Sequence, residues 1–217
     1  MLVSASGCGG STPIDATALL RQTKSIVDGT KTLHFLLTSS NAQGTGPLIS
    51  GGEGDAERPA GFAGVLDVSV AGLALSIHVV SFGGTFYVKL PTAGRFSVAD
   101  PSRYGFGDPA KLLDPDQGLS SLLTVCASPS LGNADRYNGE ELDEVSCSLP
   151  GTRVAALLTS ADPSKPVAAT FGVDPLNDQL RRVVLVGPFF SRSVSSTFTL
   201  ILDSYGENVT VTAPPAA

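Results

Sequence analysis

Residues 68–88, VSVAGLALSIHVVSFGGTFYV, are 21 residues without Asp, Glu, Lys or Arg, a length that no such stretch of the 217-residue chain exceeds. A stretch of this length is enough for a transmembrane helix. It is interrupted, however, by serines, by a histidine and by the pair Gly83-Gly84, and its apolar residues alternate. The residues of one parity are Leu73, Leu75, Ile77 and Val79, and those of the other are Ala74, Ser76, His78 and Val80. A period of two is that of a β-strand, so the stretch predicts a meander of strands.

The composition of the whole chain points the same way. Hydrophobic residues make up 42% of the sequence, which also contains 24 glycines and 15 prolines. Such a chain is too apolar for disorder, and its length fits one domain whose strands are joined by turns. The formal net charge of −6 argues against nucleic acid as a partner, because neutralising phosphates requires a basic surface.

The remaining segments predict an α+β protein with one antiparallel sheet of eight or nine strands. A helix begins after Asp15, a suitable N-cap, and ends at Gly29 in a left-handed conformation. Short helices are expected in residues 108–125, where two Asp-Pro pairs open them, and near 151–160. Residues 43–61 are predicted to be a polar, glycine-rich connection, and strand ends around a mobile loop are the open alternative for it. Strands are predicted at 32–40, 62–70, 73–81, 84–90, 141–148, 167–173, 180–187, 193–203 and 207–213.

Cys8 stands apart from the other two cysteines, in the run LVSASGCGGSTP at residues 2–13. Small residues precede it and a Gly/Ser/Pro tether follows, which is the position of a lipidation cysteine. The charged part and most of the apolar part of a signal peptide do not precede Leu2, so we expect a truncated form of an exported precursor. The alternative is a chance surface cysteine. The predicted organisation is a signal-peptide remnant at 1–7, a lipidated tether at 8–14, a single domain at 15–213 and a tail at 214–217.

Cys126 and Cys147 are predicted to form a disulfide if the protein is exported, because the compartment is then oxidising. Closing the loop between them contributes about 3 kcal/mol by restricting the unfolded chain. The alternative is two separately buried thiols. The cysteines lack the paired spacing of a structural zinc site.

The sequence contains no arrangement that indicates catalysis. A G-x-S-x-G motif is absent, and the two histidines, His34 and His78, lie in strand-like runs. The acidic clusters at 114–117 and 140–146 lack the pattern of a calcium loop. We therefore predict a protein that is not an enzyme and has no catalytic residues, no metal and no cofactor. An enzyme acting on lipids would have to depend on His34 or His78.

Several sequence blocks together resemble one family, the mycobacterial LppX/LprA/LprF/LprG lipoproteins. The blocks are Cys8 with the helix that follows the tether, FGGTFYVKLP at 82–91, DPAKLLDPDQGLSSLL at 108–123, PVAATFGVD at 166–174 and SYGENVTVTAPP at 204–215. Their order and spacing are similar to those of LprG-like members over nearly the whole chain after Ala16. Phe96 and Tyr205 stand where relatives often carry Trp, and many members lack the pair Cys126 and Cys147.

The resemblance implies a single U-shaped antiparallel half-barrel with helices packed on its concave face. Between them would lie an apolar cavity that holds the acyl chains of a glycolipid or phospholipid, such as a phosphatidylinositol mannoside. At about 0.8 kcal/mol per CH₂, sheltering a chain of a dozen carbons is worth about 10 kcal/mol. The implied function is transfer of this lipid from the plasma membrane toward the outer envelope by a monomer. The implied location is the extracytoplasmic face of the plasma membrane, with the lipid on Cys8 as the anchor.

Candidate cavity residues are apolar residues of the predicted strands, namely Leu73, Leu75, Ile77, Val79, Phe86, Val88, Val184, Val186, Phe198 and Leu200. The residues of the opposite parity, which include Ala74 and Val80, are equally good candidates for lining the cavity. For each residue, ordinary packing in the core is an equally good explanation. A different function is also consistent with the sequence. In that alternative, an extracytoplasmic lipoprotein binds a ligand and acts as the regulatory partner of a membrane sensor kinase or transporter.

Overall fold

A computed structural model describes residues 15–44, 48–70, 72–191 and 193–215. Cys8, the signal-peptide remnant at 1–7 and the tether at 8–14 lie outside the described residues, as do the last two residues of the predicted tail. The described part of the chain forms one large sheet with helices on one of its faces.

Helix α1 runs from Ala16 to Gly29 and begins as predicted. The Asp15 side chain accepts a hydrogen bond from the backbone N–H of Ala18 at 2.8 Å, which satisfies one of the free amides of the first turn. The predicted left-handed Gly29 is wrong. The helix ends instead at Thr30, whose backbone is extended, and the Arg58 guanidinium donates to the carbonyls of Val27 and Thr30. A cation at this end also favours the helix dipole.

The strands and the short helices follow one another along the chain. The strands are β1 (Thr32–Ser40), β2 (Leu48–Glu57), β3 (Gly61–Val70), β4 (Leu73–Phe82), β5 (Thr85–Lys89), β6 (Ser97–Val98), β7 (Ala127–Leu131), β8 (Asp135–Tyr137), β9 (Glu140–Leu149), β10 (Val167–Val173), β11 (Leu180–Ser191) and β12 (Val194–Asp203). The helices after α1 are α2 (Ser121–Thr124) and α3 (Gly151–Leu157), and one-turn 3₁₀ helices form at Pro101–Tyr104 and Pro109–Lys111.

The sheet has twelve strands, in the order β6-β5-β4-β3-β2-β1-β12-β11-β10-β9-β7, with β8 paired to β9. Every described pairing is antiparallel, which confirms the antiparallel α+β fold, while the predicted count of eight or nine strands was too low. The stretch 68–88 forms the end of β3, then β4 and most of β5, and Ile77 and Val79 are its buried parity. The strand predicted at 207–213 is wrong. Val211 there donates its N–H to the Glu57 carboxylate, a side-chain contact outside any described ladder.

Strand β2 corrects the prediction of a connection at 43–61. Its glycines are required because β2 and β3 approach closely where Gly54 lies opposite Gly64. A Cβ atom on Gly54 would lie 2.5 Å from the carbonyl oxygen of Ala63 and 2.8 Å from the Cα of Gly64. Glycine is therefore selected here by the neighbouring strand, although in sequence it is typical of loops.

The two faces of the sheet differ in chemistry. The inner face packs against α1, residues 101–125 and α3 in one apolar cluster that includes Leu20, Phe35, Leu122, Val154 and Phe171. The outer face carries ion pairs and hydrogen bonds between charged side chains of different strands. His34–Asp55 joins the neighbouring strands β1 and β2, whereas Arg181–Glu140 and Arg182–Glu144 join β11 to β9 across β10.

Tyr205 closes the end of the sheet just after β12. Its hydroxyl donates to the backbone oxygen of Leu180 at 2.6 Å, and burial raises the pKa of this phenol above its ordinary value of 10. The neighbouring Arg181 lowers the pKa and Asp203 raises it, both by less than burial does.

We expect Gly64→Ala to destabilise the protein by about 1–3 kcal/mol, because the new Cβ would lie 2.9 Å from the Cα of Gly54. Urea denaturation measures the free energy of unfolding. Gly94→Ala is the matched control, since a Cβ there meets nothing within 4 Å. Equal effects of the two substitutions would contradict the close approach of β2 and β3.

We expect the stability contributed by Tyr205 to be complete below pH 10 and to be lost as the pH rises above it. The unfolded chain releases the phenol proton near pH 10, whereas the folded chain retains it to higher pH. Urea midpoints between pH 8 and pH 11 measure this loss. Tyr205→Phe should show a shallower alkaline decline, and an identical slope in both proteins would disprove the role of this residue.

Candidate functional site

An apolar pocket lies between the inner face of the sheet and the helices that cover it. Its volume is about 130 Å³. Its floor consists of Phe35 and Leu37 of β1, Ile49 of β2, Phe62 and Leu66 of β3, Val183 and Leu185 of β11, and Phe198 and Leu200 of β12. Its roof consists of Phe106, Gly107, Asp108, Pro109, Leu112, Leu119, Leu122, Val154, Leu157 and Leu158. Asp108 is the single charged residue among them.

The floor follows from the register of five adjacent strands. Leu66 pairs with Gly52, which pairs with Leu37, then Leu200, then Val183. Directly paired residues of antiparallel strands share one face, so this row of residues is presented to the roof. Gly52 is the second residue of this row and the one that contributes no side chain.

The roof is held to the sheet by Asp108. Its carboxylate Oδ1 accepts hydrogen bonds from the Ser81 hydroxyl of β4 at 2.6 Å and from the N–H of Ala110 at 3.0 Å. The N–H of Gly107 donates to the carbonyl of Leu157 and so connects this segment to α3. The one charge at the pocket is therefore used to position the roof.

Helix α1 supports the other side of the roof through polar contacts. The Asp28 carboxylate accepts from the Ser120 hydroxyl at 2.6 Å and pairs with Lys24 at 2.7 Å, and Lys24 also donates to the Pro115 carbonyl. In the turn at residues 114–117, the Asp114 carboxylate accepts hydrogen bonds from the backbone amides of Gln117 and Asp116. These bonds lower the pKa of the Asp114 carboxyl. These contacts join α1 to residues 114–120.

A disulfide joins Cys126 and Cys147, the pairing expected for an exported protein, and their Cα atoms are 5.6 Å apart. Cys126 comes directly after α2 and Val125, and Cys147 lies on β9. The bond therefore connects the segment that follows α2 to β9, the neighbour of the terminal strand β7.

The structure brings together only part of the predicted cavity residues. Phe198 and Leu200 line the pocket. Ile77, Val79, Phe86 and Val88 are buried in the core on strands β4 and β5, outside the pocket lining. Leu73 is exposed and Leu75 half-buried at the start of β4. On β11, Val183 and Leu185 line the pocket, whereas the predicted Val184 and Val186 do not. Side chains alternate along a strand, so Val184 and Val186 point to the outer face.

Other pocket residues were missed at the sequence level. Phe35 and Leu37 share the parity of Leu33 in β1, so the alternation in TLHFLLTSS was a usable signal. Ile49 had no such signal, because its segment is rich in glycine and resembles a loop.

The described residues contain no group of three or more His, Cys, Asp or Glu side chains placed to hold a metal ion. His34 Nδ1 lies 2.9 Å from Asp55 Oδ1 on the outer face, and His78 is exposed. Both histidines therefore lie away from the apolar pocket. Within the described ranges, the helices are all too short or too polar to cross a membrane.

The sequence profile of one family, described as LppX_LprAFG lipoprotein, matches residues 15–211. The chain belongs to this family. Among its relatives are the lipoarabinomannan carrier proteins LprG of Mycobacterium tuberculosis strain H37Rv and of Mycobacterium leprae. The first is 27% identical over 96% of this chain and 86% of its own length. The second is 26% identical over 92% of this chain and 82% of its own length.

Solved structures of the LppX_LprAFG family share the fold. The crystal structure of LprF from Mycobacterium bovis has a TM-score of 0.73 at 18% identity, and covers 93% of this chain and 97% of LprF. The crystal structure of LppX from Mycobacterium tuberculosis has a TM-score of 0.64 at 15% identity, covering 91% of this chain and 98% of LppX. The open antiparallel sheet with a few helices is thus the fold of the family.

Replacing both Cys126 and Cys147 by alanine is expected to lower the free energy of unfolding by about 3 kcal/mol. The unfolded chain is then no longer restricted by the loop between them. Urea denaturation of this variant and of the parent, each with and without reductant, measures the difference. Reductant should shift the parent and leave the double variant unchanged, and a parent insensitive to reductant would contradict the prediction.

Proposed function

We propose that this protein is a lipid carrier of the cell envelope. It binds the acyl chains of a glycolipid or phospholipid, of the phosphatidylinositol-mannoside type, in the pocket between sheet and roof. It then transfers the lipid from the plasma membrane toward the outer envelope. The function is one of binding, with no catalytic step and no cofactor.

The observation that carries this proposal is the chemistry of the pocket. Nine floor residues are apolar, and the one carboxylate of the roof already accepts two hydrogen bonds. Such a surface stabilises a hydrocarbon chain through the hydrophobic effect and offers little to a polar ligand. The family of lipoproteins to which the chain belongs, and the carrier names of its LprG relatives, support the same reading.

The volume of the pocket sets a condition on this function. About 130 Å³ is less than the roughly 300–1,000 Å³ of pockets that bury a drug-sized ligand. Binding two or three acyl chains therefore requires the roof to move away from the sheet. The roof is built of helices of seven residues or fewer, whose stability depends on packing, so its displacement breaks few backbone hydrogen bonds.

In the same proposal, the lipid anchor on Cys8 determines where the domain is located in the cell envelope. A lipidated Cys8 is seven residues from Asp15, a distance of at most about 25 Å for an extended chain. The domain is thereby held, as a monomer, close to the extracytoplasmic face of the plasma membrane.

Native mass spectrometry tests the proposal most directly. The protein is purified from an actinobacterial host, and its mass is compared before and after organic extraction. A stoichiometric di- or tri-acylated lipid is expected, and its head group identifies the cargo. An empty protein that takes up no lipid when challenged would refute the carrier function and favour the regulatory-partner alternative.

We expect Leu37→Trp to reduce lipid occupancy about tenfold, since overfilling a packed pocket costs about 1–3 kcal/mol. Leu36→Trp is the matched control, because Leu36 is the adjacent residue of β1, faces outward and is 40% exposed. Lipid per protein is measured by extraction and mass spectrometry, and circular dichroism checks that both variants fold. If the two variants retain lipid equally, the pocket is not the binding site.

A further inference from the structure

Three hairpins end side by side at one edge of the sheet. They are β1–β2, β3–β4 and β11–β12, and their six strands are adjacent in the order β4-β3-β2-β1-β12-β11. At about 4.8 Å per strand, the three hairpin ends span about 25 Å. We call this edge the tip surface and define it by the described residues Ser40–Gly44, Leu48, Gly72–Leu75, Phe189–Ser191 and Ser193–Val194.

The tip surface differs in charge from the rest of the chain. In sequence, residues 40–50, 69–76 and 187–196 contain one basic residue and no Asp or Glu, although the chain has 20 acidic residues. The opposite ends of the same strands carry Asp55, Glu57 and Asp203. Asp67 is the nearest acidic residue along β3, and its carboxylate accepts a hydrogen bond from Ser76.

The tip surface also exposes apolar side chains. Leu73 is 67% exposed, and Leu48, Leu75, Phe190 and Val194 are half-buried. Its members are in contact with one another. A Cβ on Gly44 would lie 2.7 Å from the Phe190 carbonyl oxygen, and the Ser196 hydroxyl donates to the Asn41 carbonyl at 2.9 Å.

An apolar path connects the tip surface with the pocket. The ring centroids of Phe190 and Phe198 are 5.5 Å apart, and Phe198 lines the pocket. On the neighbouring hairpin, Leu48 belongs to the tip surface and Ile49, the next residue, lines the pocket. The contact between Phe190 and Phe198 therefore links the tip surface to the floor of the pocket.

We propose that the tip surface docks onto a lipid bilayer, so that Leu73 and its apolar neighbours enter the interface while the pocket lies directly above. An acidic edge would be repelled by anionic lipids, whereas this edge has no acidic residue and presents apolar side chains that gain free energy on leaving water. The inference rests on the proposed function, because a carrier must contact the membrane from which its lipid comes. Beyond the proposed function, the inference identifies the tip surface as the part of the fold that contacts the membrane.

The test is flotation of the full chain with vesicles of phosphatidylcholine and phosphatidylglycerol in a seven-to-three ratio. The protein carries Cys8→Ser, so that binding cannot come from the anchor. Leu73→Asp is expected to reduce vesicle binding about tenfold or more, since removing one buried leucine from an interface has an effect of this size. Leu176→Asp is the matched control, because Leu176 is 92% exposed in the β10–β11 hairpin, at the opposite edge. It should bind as the parent does.

Equal loss in both variants, or no loss in either, would overturn the proposal. The proposal would also be overturned if the parent did not bind vesicles and instead formed a dimer that the Leu73→Asp substitution dissociates. The tip surface would then be an interface between two copies of the chain. Lipid uptake from detergent micelles is measured in parallel. Uptake with no Leu73-dependent vesicle binding refutes the docking surface alone, whereas vesicle binding with no uptake refutes the carrier function alone.

Discussion

The structure depends on covering the apolar inner face of a sheet that is too wide to be buried by one helix. Strands β1, β3, β11 and β12 present Phe35, Leu37, Leu66, Leu185 and Phe198 on this face, and removing such side chains from water stabilises the fold. Helix α1 is the one long helix among the described residues. Short helical turns and loops cover the rest, and they pack less completely than a continuous helix does. The pocket is the result.

These short roof segments have little stability of their own, so their position is set by a few specific contacts. Asp108 joins the roof to β4 through Ser81, Asp28 joins it to α1 through Ser120, and the disulfide joins its end to β9. Asp108 lines the pocket, whereas Ser81, Asp28, Ser120 and the two cysteines are not among its lining residues. Polar contacts thus position the roof, while its residues Leu112, Leu119 and Leu157 line the pocket with apolar side chains. Apolar packing is non-directional, which suits a surface that a hydrocarbon chain can replace.

Much of the fold was accessible from local patterns. Strand β1 at 32–40 and strand β10 at 167–173 were predicted to the residue, because alternation and flanking turns mark them clearly. The Asp15 cap, the family resemblance and the cysteine pair were also correct. Strand β2 was missed because Gly52 and Gly54 are typical of loops, and the need for glycine there arises from the backbone of β3. Val184 and Val186 were preferred over Val183 and Leu185 because a run of four apolar residues has no alternation to mark its inner parity.

The sequence by itself determined the class of the protein, the positions of most strands along the chain, the helix after Asp15 and the absence of catalytic motifs. These properties depend on periodicity, capping and composition, which are local. Only the tertiary structure decided which parity of each strand faces the roof, which residues line the pocket and which three hairpins share one edge. Those properties depend on pairing between segments far apart in the chain. Leu37 and Leu200 meet at the floor of the pocket because β1 and β12 are neighbours, and no local pattern in either strand specifies that pairing.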